Sequence, residues 1–163
     1  MPDFKPDPCL FPIRILQEFA WDNSLAYPGN TAYCIPTAKK YLCALLNSRL
    51  TEYIYARLSP QIRGGFYRFI AQYMEQLPVI EPSQEDQARL SALVDQLQAL
   101  GGQGPEAEVL EREVDAIVYR TYDLTEEEIA EIERWHVERR AQLGRGRRGQ
   151  RIVTVEEVEE AEA

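Results

Sequence analysis

The feature that most restricts the fold is a series of apolar residues at helical spacing in the second half of the chain. Apolar residues three and four positions apart form one face of an α-helix, and that face must be covered by another element. The pattern predicts three helices, which begin near Ser83, Pro105 and Thr125. Their apolar faces consist of Leu90, Leu93, Val94, Leu97 and Leu100, of Leu110, Val114, Ile117 and Val118, and of Ile129, Ile132 and Trp135.

Local signals indicate where these helices start and stop. Ser83 and Thr125 are residue types that cap helices, and Glu128 stands where it can complete a capping box with Thr125. Pro105 suits a first helical turn, and the glycines from Gly101 end the preceding helix. Three adjacent amphipathic helices cover one another readily, which favours an internal bundle. A seam for a partner protein is the open alternative for the first stripe.

The first half of the chain predicts a smaller unit of mixed structure. Segments 11–20 and 30–36 have the pattern of strands, with turn residues between them. Thr37 can cap a helix that continues to about Arg57, and residues 66–82 resemble a strand followed by a short turn. We therefore predict the α+β class, with a small mixed α/β domain at 1–82, a bundle of about three helices at 83–143 and a disordered charged tail at 144–163.

Composition excludes several classes of protein. The chain has 163 residues with 45% hydrophobic and 28% charged residues, typical of a soluble globular protein. Its three cysteines include no C-x-x-C pair, which argues against a disulfide framework or a thiolate metal site. No apolar run is long enough to span a membrane, and the first residues lack the apolar core of a signal peptide. We expect a cytoplasmic protein without metal or cofactor.

The net charge of −9 is unevenly distributed. Residues 1–80 hold eight Lys and Arg against six Asp and Glu, a charge of +2, whereas residues 81–163 hold ten against twenty-one, a charge of −11. Between Lys39 and Tyr73, six basic residues face one acid, Glu52, a local charge of +5. Such a stretch is a candidate surface for a polyanion. Its basic residues are Lys39, Lys40, Arg49, Arg57, Arg63 and Arg68.

The sequence offers little for catalysis. His136, the single histidine, lies inside the third predicted helix and has no cysteine or serine motif beside it, which favours a packing or surface role. No glycine-rich phosphate loop stands between a strand and a helix. The only lysine at nuclease-like spacing to an acid, Lys5, has no partner acid at a sensible distance upstream. A nucleophile, a metal site and a nucleotide site are therefore not predicted.

The stretch QIRGGFYRF is a better candidate for binding. Arginine forms bidentate contacts with phosphate or guanine, and a Gly-Gly pair lets a backbone approach a ligand closely. The alternative is a surface loop whose aromatic residues cover the core while its arginines are solvated. The candidate DNA-binding residues in this loop are Arg63, Gly64, Gly65, Phe66, Tyr67 and Arg68, and weaker electrostatic candidates are Lys39, Lys40, Arg49 and Arg57.

The order of several segments resembles a known family. YLCALLNSRL, RGGFYRF, QYMEQLPVIEP and then EREVDAIVYRTYDLTEEEIAEIE are similar in order to the C-terminal specificity region of type IIG restriction-modification enzymes and related N6-adenine DNA methyltransferases, the TaqI-like C-terminal specificity domain. The resemblance runs from about Ile13 to Trp135. Residues carrying it in the helical part are Asp115, Tyr119, Tyr122, Leu124 and Thr125, and Asp123 stands where the family commonly has glycine.

The resemblance implies a target-recognition module that places a methyltransferase, and any attached nuclease, on a duplex DNA sequence. In such a module the mixed α/β part at 1–82 reads DNA, and the helices at 83–143 act as a spacer that docks onto other parts of the enzyme. The chain has no N-P-P-Y and no F-x-G-x-G motif, so we expect no methylation by this chain alone. The expected partners are double-stranded DNA and a methyltransferase or nuclease part not in this chain, either as a separate subunit or lost from a longer enzyme. The alternative is an assembly module that docks to a methyltransferase without binding DNA. Asn47 and Ser48 are interpreted as capping or packing residues, with DNA contact as the alternative.

Overall fold

The computed structural model describes residues 9–14, 18–22, 35–62, 66–67 and 69–146. These residues form five short strands in two sheets and six helices. In chain order the elements are β1 Cys9–Arg14, β2 Glu18–Asp22, β3 Ile35–Pro36, α1 Tyr41–Asn47, α2 Arg49–Leu58, β4 Gln61–Ile62, β5 Phe66–Tyr67, α3 Ala71–Met74, α4 Gln84–Ala99, α5 Pro105–Thr121 and α6 Glu126–Gly146. The α+β class is therefore supported in coarse terms, with helices dominating the described part.

The first sheet has the order β2-β1-β3, and both pairs are antiparallel. Cys9 pairs with Asp22 and Leu10 with Trp21, and the register shifts between Pro12 and Arg14. The expectation of one strand over 11–20 is thus wrong, because the chain reverses between β1 and β2. Of the strand expected at 30–36, the described residues contain β3, and the turn expected before it lies mostly outside them.

The helix expected to run unbroken from Thr37 to about Arg57 is two helices. Ser48 has φ −69° and ψ 154°, an extended conformation that ends α1 and begins α2. Its side chain accepts a hydrogen bond from the Thr51 N–H and donates to the Leu45 carbonyl at 2.7 Å. The expectation is wrong because apolar spacing continues through the break, whereas the break depends on side-chain hydrogen bonding to the backbone.

The segment after β5 also differs from the expectation of a strand. Strand β5 contains Phe66 and Tyr67, and Ala71–Met74 form the short helix α3. The chain then continues without regular structure to Ser83, passing through Pro78 and Pro82. Proline removes a backbone donor and restricts the residue before it, so extended connecting structure is favoured here.

The three helices of the second half begin as the sequence predicts. Ser83 accepts from the Asp86 N–H at 3.2 Å, and Pro105 is the first residue of α5. Thr125 and Glu128 form the predicted capping box, with the Thr125 N–H donating to Glu128 at 2.8 Å. Helix α6 continues to Gly146, beyond the predicted end of the helical region at 143, and the remaining tail lies outside the described residues.

Asp123 forms the turn between α5 and α6. Its φ of 53° lies in the left-handed region, which glycine adopts without a Cβ penalty and which Asp tolerates better than most residues. The next amide, Leu124 N–H, donates back to the Tyr119 carbonyl at 3.1 Å and closes the end of α5. The geometry therefore gives a physical reason for a glycine preference at this junction.

One hydrophobic core spans both halves of the chain. Helix α1 packs on α4, α4 on α5, and α2 on α6, while β2 lies against α1. The predicted boundary at residue 82 separates α3 from α4, yet buried residues from both sides share this core. Among them are Phe19, Tyr41, Leu45, Leu50, Leu90, Leu93, Val94, Val114, Ile117, Val118 and Ile132. None of the helices in the described part of the chain is long and apolar enough to cross a membrane.

Candidate nucleic-acid interface

The loop with the strongest sequence signal belongs to a β-hairpin. Strands β4 and β5 are antiparallel, with Gln61 opposite Tyr67 and Ile62 opposite Phe66. Residues 63–65, which join the two strands in the sequence, lie outside the described residues. Four of the six predicted loop residues lie outside the described residues: Arg63, Gly64, Gly65 and Arg68. For Phe66 the structure describes the backbone but not the side chain.

Tyr67, the described member of the loop set, contacts the protein on several sides. Its hydroxyl accepts a hydrogen bond from Gln61 Nε2 at 3.1 Å. Its ring meets the buried Tyr55 ring edge-on, with centroids 6.4 Å apart, and the Arg139 guanidinium lies 4.5 Å from its centroid. These contacts fix the ring between α2 and α6, so Tyr67 attaches the hairpin to the rest of the protein.

Lys39 and Lys40, which precede α1, are paired with carboxylates of the second half. Lys39 Nζ lies 3.0 Å from Glu81, and this hydrogen bond raises the pKa of Lys39 and lowers that of Glu81. Lys40 Nζ lies 2.7 Å from Asp95 on α4 and 5.8 Å from the centre of the Trp21 ring. The Lys39 side chain is 56% exposed and that of Lys40 is 25% exposed, so Lys39 retains more access to an external anion.

Arg49 occupies the junction between the two halves. Its backbone N–H donates to Asp115 at 2.9 Å, and its Nε lies 3.2 Å from the other oxygen of that carboxylate. Its Nη1 also binds Glu133 on α6, which in turn accepts from the Tyr119 hydroxyl at 2.6 Å. Burial, the largest influence, raises the pKa of Asp115 to about 6. Arg49 therefore links α2 to α5 and α6.

Arg57 lies at the last turn of α2, where a cation is favoured by the helix dipole. Its guanidinium lies 3.4 Å from the centroid of the Tyr53 ring and donates to the Tyr53 carbonyl at 3.0 Å. Its Nη2 is 3.6 Å from Glu131, and the side chain remains 51% exposed. Arg57 is therefore held on the protein surface with part of its charge open to solvent.

These four basic residues share one property that their sequence positions do not reveal. Each forms an ion pair with an acidic residue from the acidic half of the chain. Nearby opposite charges reduce the field that a distant phosphate experiences, particularly at physiological salt. Much of the local charge of +5 is thus compensated within the fold, and Arg63 and Arg68 are the two basic residues of that stretch whose surroundings lie outside the described residues.

Asn47 and Ser48 have the internal role that the sequence analysis favoured. Asn47 Oδ1 accepts from the Phe19 N–H at 2.6 Å, and its Nδ2 donates to the Phe19 carbonyl at 2.7 Å. The amide side chain thereby pairs with the backbone of β2 as a neighbouring strand would. Ser48 is 2% exposed and caps α2. Both residues therefore connect α1 and α2 to the rest of the fold.

A cavity of about 450 Å³ lies between the two halves, and Cys43 and His136 are among the residues that line it. Burial raises the pKa of the Cys43 thiol to about 12, so the thiolate is scarce at neutral pH. His136 is 6% exposed, with Nε2 3.4 Å from Glu52 and 3.4 Å from Arg140 Nε. Within the described residues no group of His, Cys, Asp and Glu has the arrangement of a metal site. Polar residues of the cavity wall contact one another: His136 lies next to Glu52 and Arg140, and Arg49 next to Asp115.

Comparison with protein families gives one match. The family model described as the TaqI-like C-terminal specificity domain matches residues 13–79. The resemblance predicted from the sequence is confirmed over these residues. The matched segment contains β2, β3, α1, α2, the β4–β5 hairpin and α3, and the family model describes a specificity domain, which is not a catalytic one. Searches of curated proteins and of solved structures find no match.

The family match ends at 79, so the resemblance seen in the sequence as far as Trp135 extends beyond it. Two members of the helical series nevertheless contact the TaqI-like segment directly. Asp115 accepts from the Arg49 N–H, and the Tyr122 hydroxyl donates to the Pro78 carbonyl at 2.7 Å. A third, Tyr119, reaches Arg49 through Glu133. The helical half therefore supports the TaqI-like segment through side chains as well as through the shared core.

Several residues that shape this region have no recognisable local signal in the sequence. Arg139 and Tyr55 contact the hairpin through the ring of Tyr67, Phe69 stacks on Tyr55, and Glu133 binds Arg49. Arg49 and Glu133 are 84 residues apart, so no local pattern could have paired them. The available signal was the excess of acid in the second half opposite an excess of base in the first.

Proposed function

We propose that the chain is a DNA target-recognition module of a restriction-modification system, and that the β4–β5 hairpin is its main DNA-contacting element. The observation that carries the proposal is the match of residues 13–79 to a specificity domain, because that match contains the hairpin and its two arginines. In this proposal the chain places a methyltransferase or nuclease on duplex DNA and performs no catalysis itself.

The hairpin has the chemistry that this role requires. Arg63 and Arg68 supply donors for phosphate oxygens or for the major-groove edge of guanine, and a two-stranded ribbon fits the major groove. Gly64 and Gly65 allow close approach of the backbone to DNA. Tyr67 acts as an anchor in this proposal, because its ring and hydroxyl already contact Tyr55, Arg139 and Gln61.

The remaining cationic candidates have secondary roles in the proposal. Lys39 and Arg57 are paired yet more than half exposed, so they contribute general attraction to the phosphate backbone. Lys40 and Arg49 are about three-quarters covered and bound to carboxylates, so their main role is to hold the two halves together. The proposed DNA-contacting surface therefore centres on the hairpin.

The partner in this proposal is the catalytic part of an N6-adenine methyltransferase or type IIG enzyme in the cytoplasm. The competing function is an assembly module that docks to such a partner without contacting DNA. The ion pairs of Lys39, Lys40, Arg49 and Arg57 favour this second candidate, since they reduce the charge available to DNA. The two candidates differ in what they predict for Arg63 and Arg68.

Fluorescence anisotropy of a labelled random-sequence duplex, titrated with the chain over a salt series, distinguishes them. The test variant is Arg63→Ala/Arg68→Ala, and the matched control is Lys39→Ala/Arg57→Ala, which removes the same charge. Each phosphate contact contributes roughly 0.9 to the slope of log affinity against log salt. We expect the test variant to lower the magnitude of this slope by the equivalent of one to two phosphate contacts, roughly 0.9 to 1.8. The control should lower it by less than the equivalent of one contact.

Equal slopes in the test variant and the unmodified chain would contradict the proposed role of the hairpin. Absence of binding at low salt by the folded, unmodified chain would favour the assembly function. Circular dichroism of all three proteins establishes that they are folded. A pull-down with the methyltransferase part, using the Arg63→Ala/Arg68→Ala variant, then tests whether partner binding is independent of the hairpin.

A further inference from the structure

Arg139 is a buried arginine on α6, outside the TaqI-like segment. It is 5% exposed, whereas arginine is seldom buried in proteins unless it has specific contacts. Its guanidinium lies 4.5 Å from the centroid of the Tyr67 ring, within the distance at which a cation is attracted by an aromatic face. This contact joins the last helix of the chain to strand β5 of the hairpin.

The same Tyr67 ring continues into a row of aromatic residues. Tyr67 meets Tyr55 edge-on, Tyr55 stacks on Phe69 with centroids 4.7 Å apart, and Phe69 meets Phe19 edge-on at 6.3 Å. Tyr55 is fully buried, and Phe19 belongs to the shared core. Rows of this kind transmit a fixed position from one element to the next, because tightly packed rings have few alternative arrangements.

The hairpin requires such support. Strands β4 and β5 have two residues each, and isolated hairpins are at best marginally stable in water even when longer. Its position must therefore come from contacts with other elements. In the described residues, Tyr67 receives contacts from α2 through Tyr55 and from α6 through Arg139.

We propose that Arg139 is a positioning residue that fixes the orientation of the β4–β5 hairpin through the ring of Tyr67. The helical half then takes part in target recognition indirectly, by positioning the hairpin, although it lies outside the matched specificity segment. The consequence for DNA rests on the proposed function, whereas the positioning of the hairpin is measurable without DNA. The helical half is, in this inference, more than a spacer between the DNA-contacting part and a catalytic partner.

The test is hydrogen exchange of the backbone amides of Gln61–Ile62 and Phe66–Tyr67 in the full chain, compared between the unmodified protein and Arg139→Met. Methionine keeps an apolar stem and removes the cation. The matched control is Arg134→Met, the same substitution at an exposed position of α6. Loss of a buried cation–ring contact is expected to accelerate exchange in the hairpin by roughly fivefold. Exchange in α4, which lies away from the contact, is expected to stay unchanged.

Two further variants keep the test decisive. Tyr67→Leu removes the ring from the other side of the contact and accelerates hairpin exchange even if Arg139→Met unfolds α6. Arg139→Lys keeps a cation near the ring and is expected to restore much of the protection, which a purely space-filling role would not do. Unchanged hairpin exchange in a folded Arg139→Met variant would overturn the inference, whatever the DNA results and whatever Tyr67→Leu does, because Tyr67→Leu also removes the contacts with Tyr55 and Gln61.

DNA affinity separates this inference from the proposed function. If Arg139 acts through the hairpin, Arg139→Met weakens duplex binding severalfold in a chain that keeps Arg63 and Arg68. In the Arg63→Ala/Arg68→Ala background, Arg139→Met has no further effect on duplex binding. Faster hairpin exchange with unchanged DNA affinity would overturn the link to recognition. Faster hairpin exchange in a chain that binds no DNA would support Arg139 as the positioning residue and contradict the proposed function alone.

Discussion

The α1–α2 pair and the β4–β5 hairpin are neighbours in the sequence, but the fold holds them in different ways. Helices α1 and α2 contribute Tyr41, Leu45 and Leu50 to the shared core, and their flanking cations pair with carboxylates of the helical half. The hairpin has two short strands and is attached through the Tyr67 ring. The α1–α2 pair is thus part of the core, whereas the hairpin is held by contacts of the Tyr67 ring.

This difference shows that a charge count along the sequence does not locate a charged surface. Six basic residues stand between Lys39 and Tyr73, yet four of them are compensated by Glu81, Asp95, Asp115, Glu131 and Glu133. The acidic half of the chain is therefore the electrostatic complement of the α1–α2 pair. In our proposal the hairpin alone directs its arginines to DNA.

The largest effect should come from the core that joins α1–α2 to the helical half. Leu93 on α4 is fully buried, and truncation of such a leucine typically destabilises a protein by about 2–5 kcal/mol. We expect Leu93→Ala to lower the free energy of unfolding by this amount in urea, with α1–α2 and α4–α6 unfolding in one transition. Leu100→Ala, directly after the end of α4 and 37% exposed, is the control and should have little effect. Separate transitions for the two halves would contradict a shared core.

Replacement of Arg49 should have the next largest effect on stability. It compares a buried ion pair of α2 with an exposed one on the same helix. Arg49→Met leaves Asp115, which is 5% exposed, without its cation, and breaking a buried ion pair typically destabilises by about 3 kcal/mol. Arg57→Met, at the exposed end of the same helix, should change stability by less than about 1 kcal/mol. Urea denaturation of both variants measures the difference. Equal effects would mean that Arg49 does not join the halves as described.

Asp115 adds a dependence of stability on pH to this comparison. Its folded pKa of about 6 exceeds the ordinary value of 3.8, chiefly because of burial. Between these values the folded chain binds more protons than the unfolded chain, so the contribution of Asp115 to stability is present below pH 3.8 and is lost as the pH rises towards 6. The stability difference between the unmodified chain and Asp115→Asn should fall over this window and level off above it. A difference that grows with pH would contradict the assignment.

The parts of the fold that the sequence predicts are those with local causes. Ser83, Pro105 and the Thr125–Glu128 box act within one turn of helix, and all three begin helices as expected. The sequence does not show the break between α1 and α2 at Ser48, because the apolar spacing of α1 continues into α2. The reversal between β1 and β2 was missed because alternation alone does not show where a strand ends.

The candidate site divides in the same way. Its loop could be found from residue types alone, since arginines, aromatics and two glycines cluster in nine residues. The contacts of Arg49 with Asp115 and of Tyr67 with Arg139 join distant segments, so they depend on the packing of the whole chain. Likewise, no local sequence pattern shows that the ring of Tyr55 supports the hairpin, because Tyr55 meets Tyr67 only in the folded chain.

The most direct test of the account compares arginines of the two regions in one experiment. Side-chain Nε–Hε signals of the ¹⁵N-labelled chain, followed by NMR during titration with duplex DNA, report on each arginine separately. The account predicts that the signals of Arg63 and Arg68 shift or broaden on binding, while those of Arg49 and Arg57 stay nearly unchanged. Larger changes at Arg49 and Arg57 than at Arg63 and Arg68 would contradict it, because the paired cations of α1–α2 would then be the DNA-contacting surface.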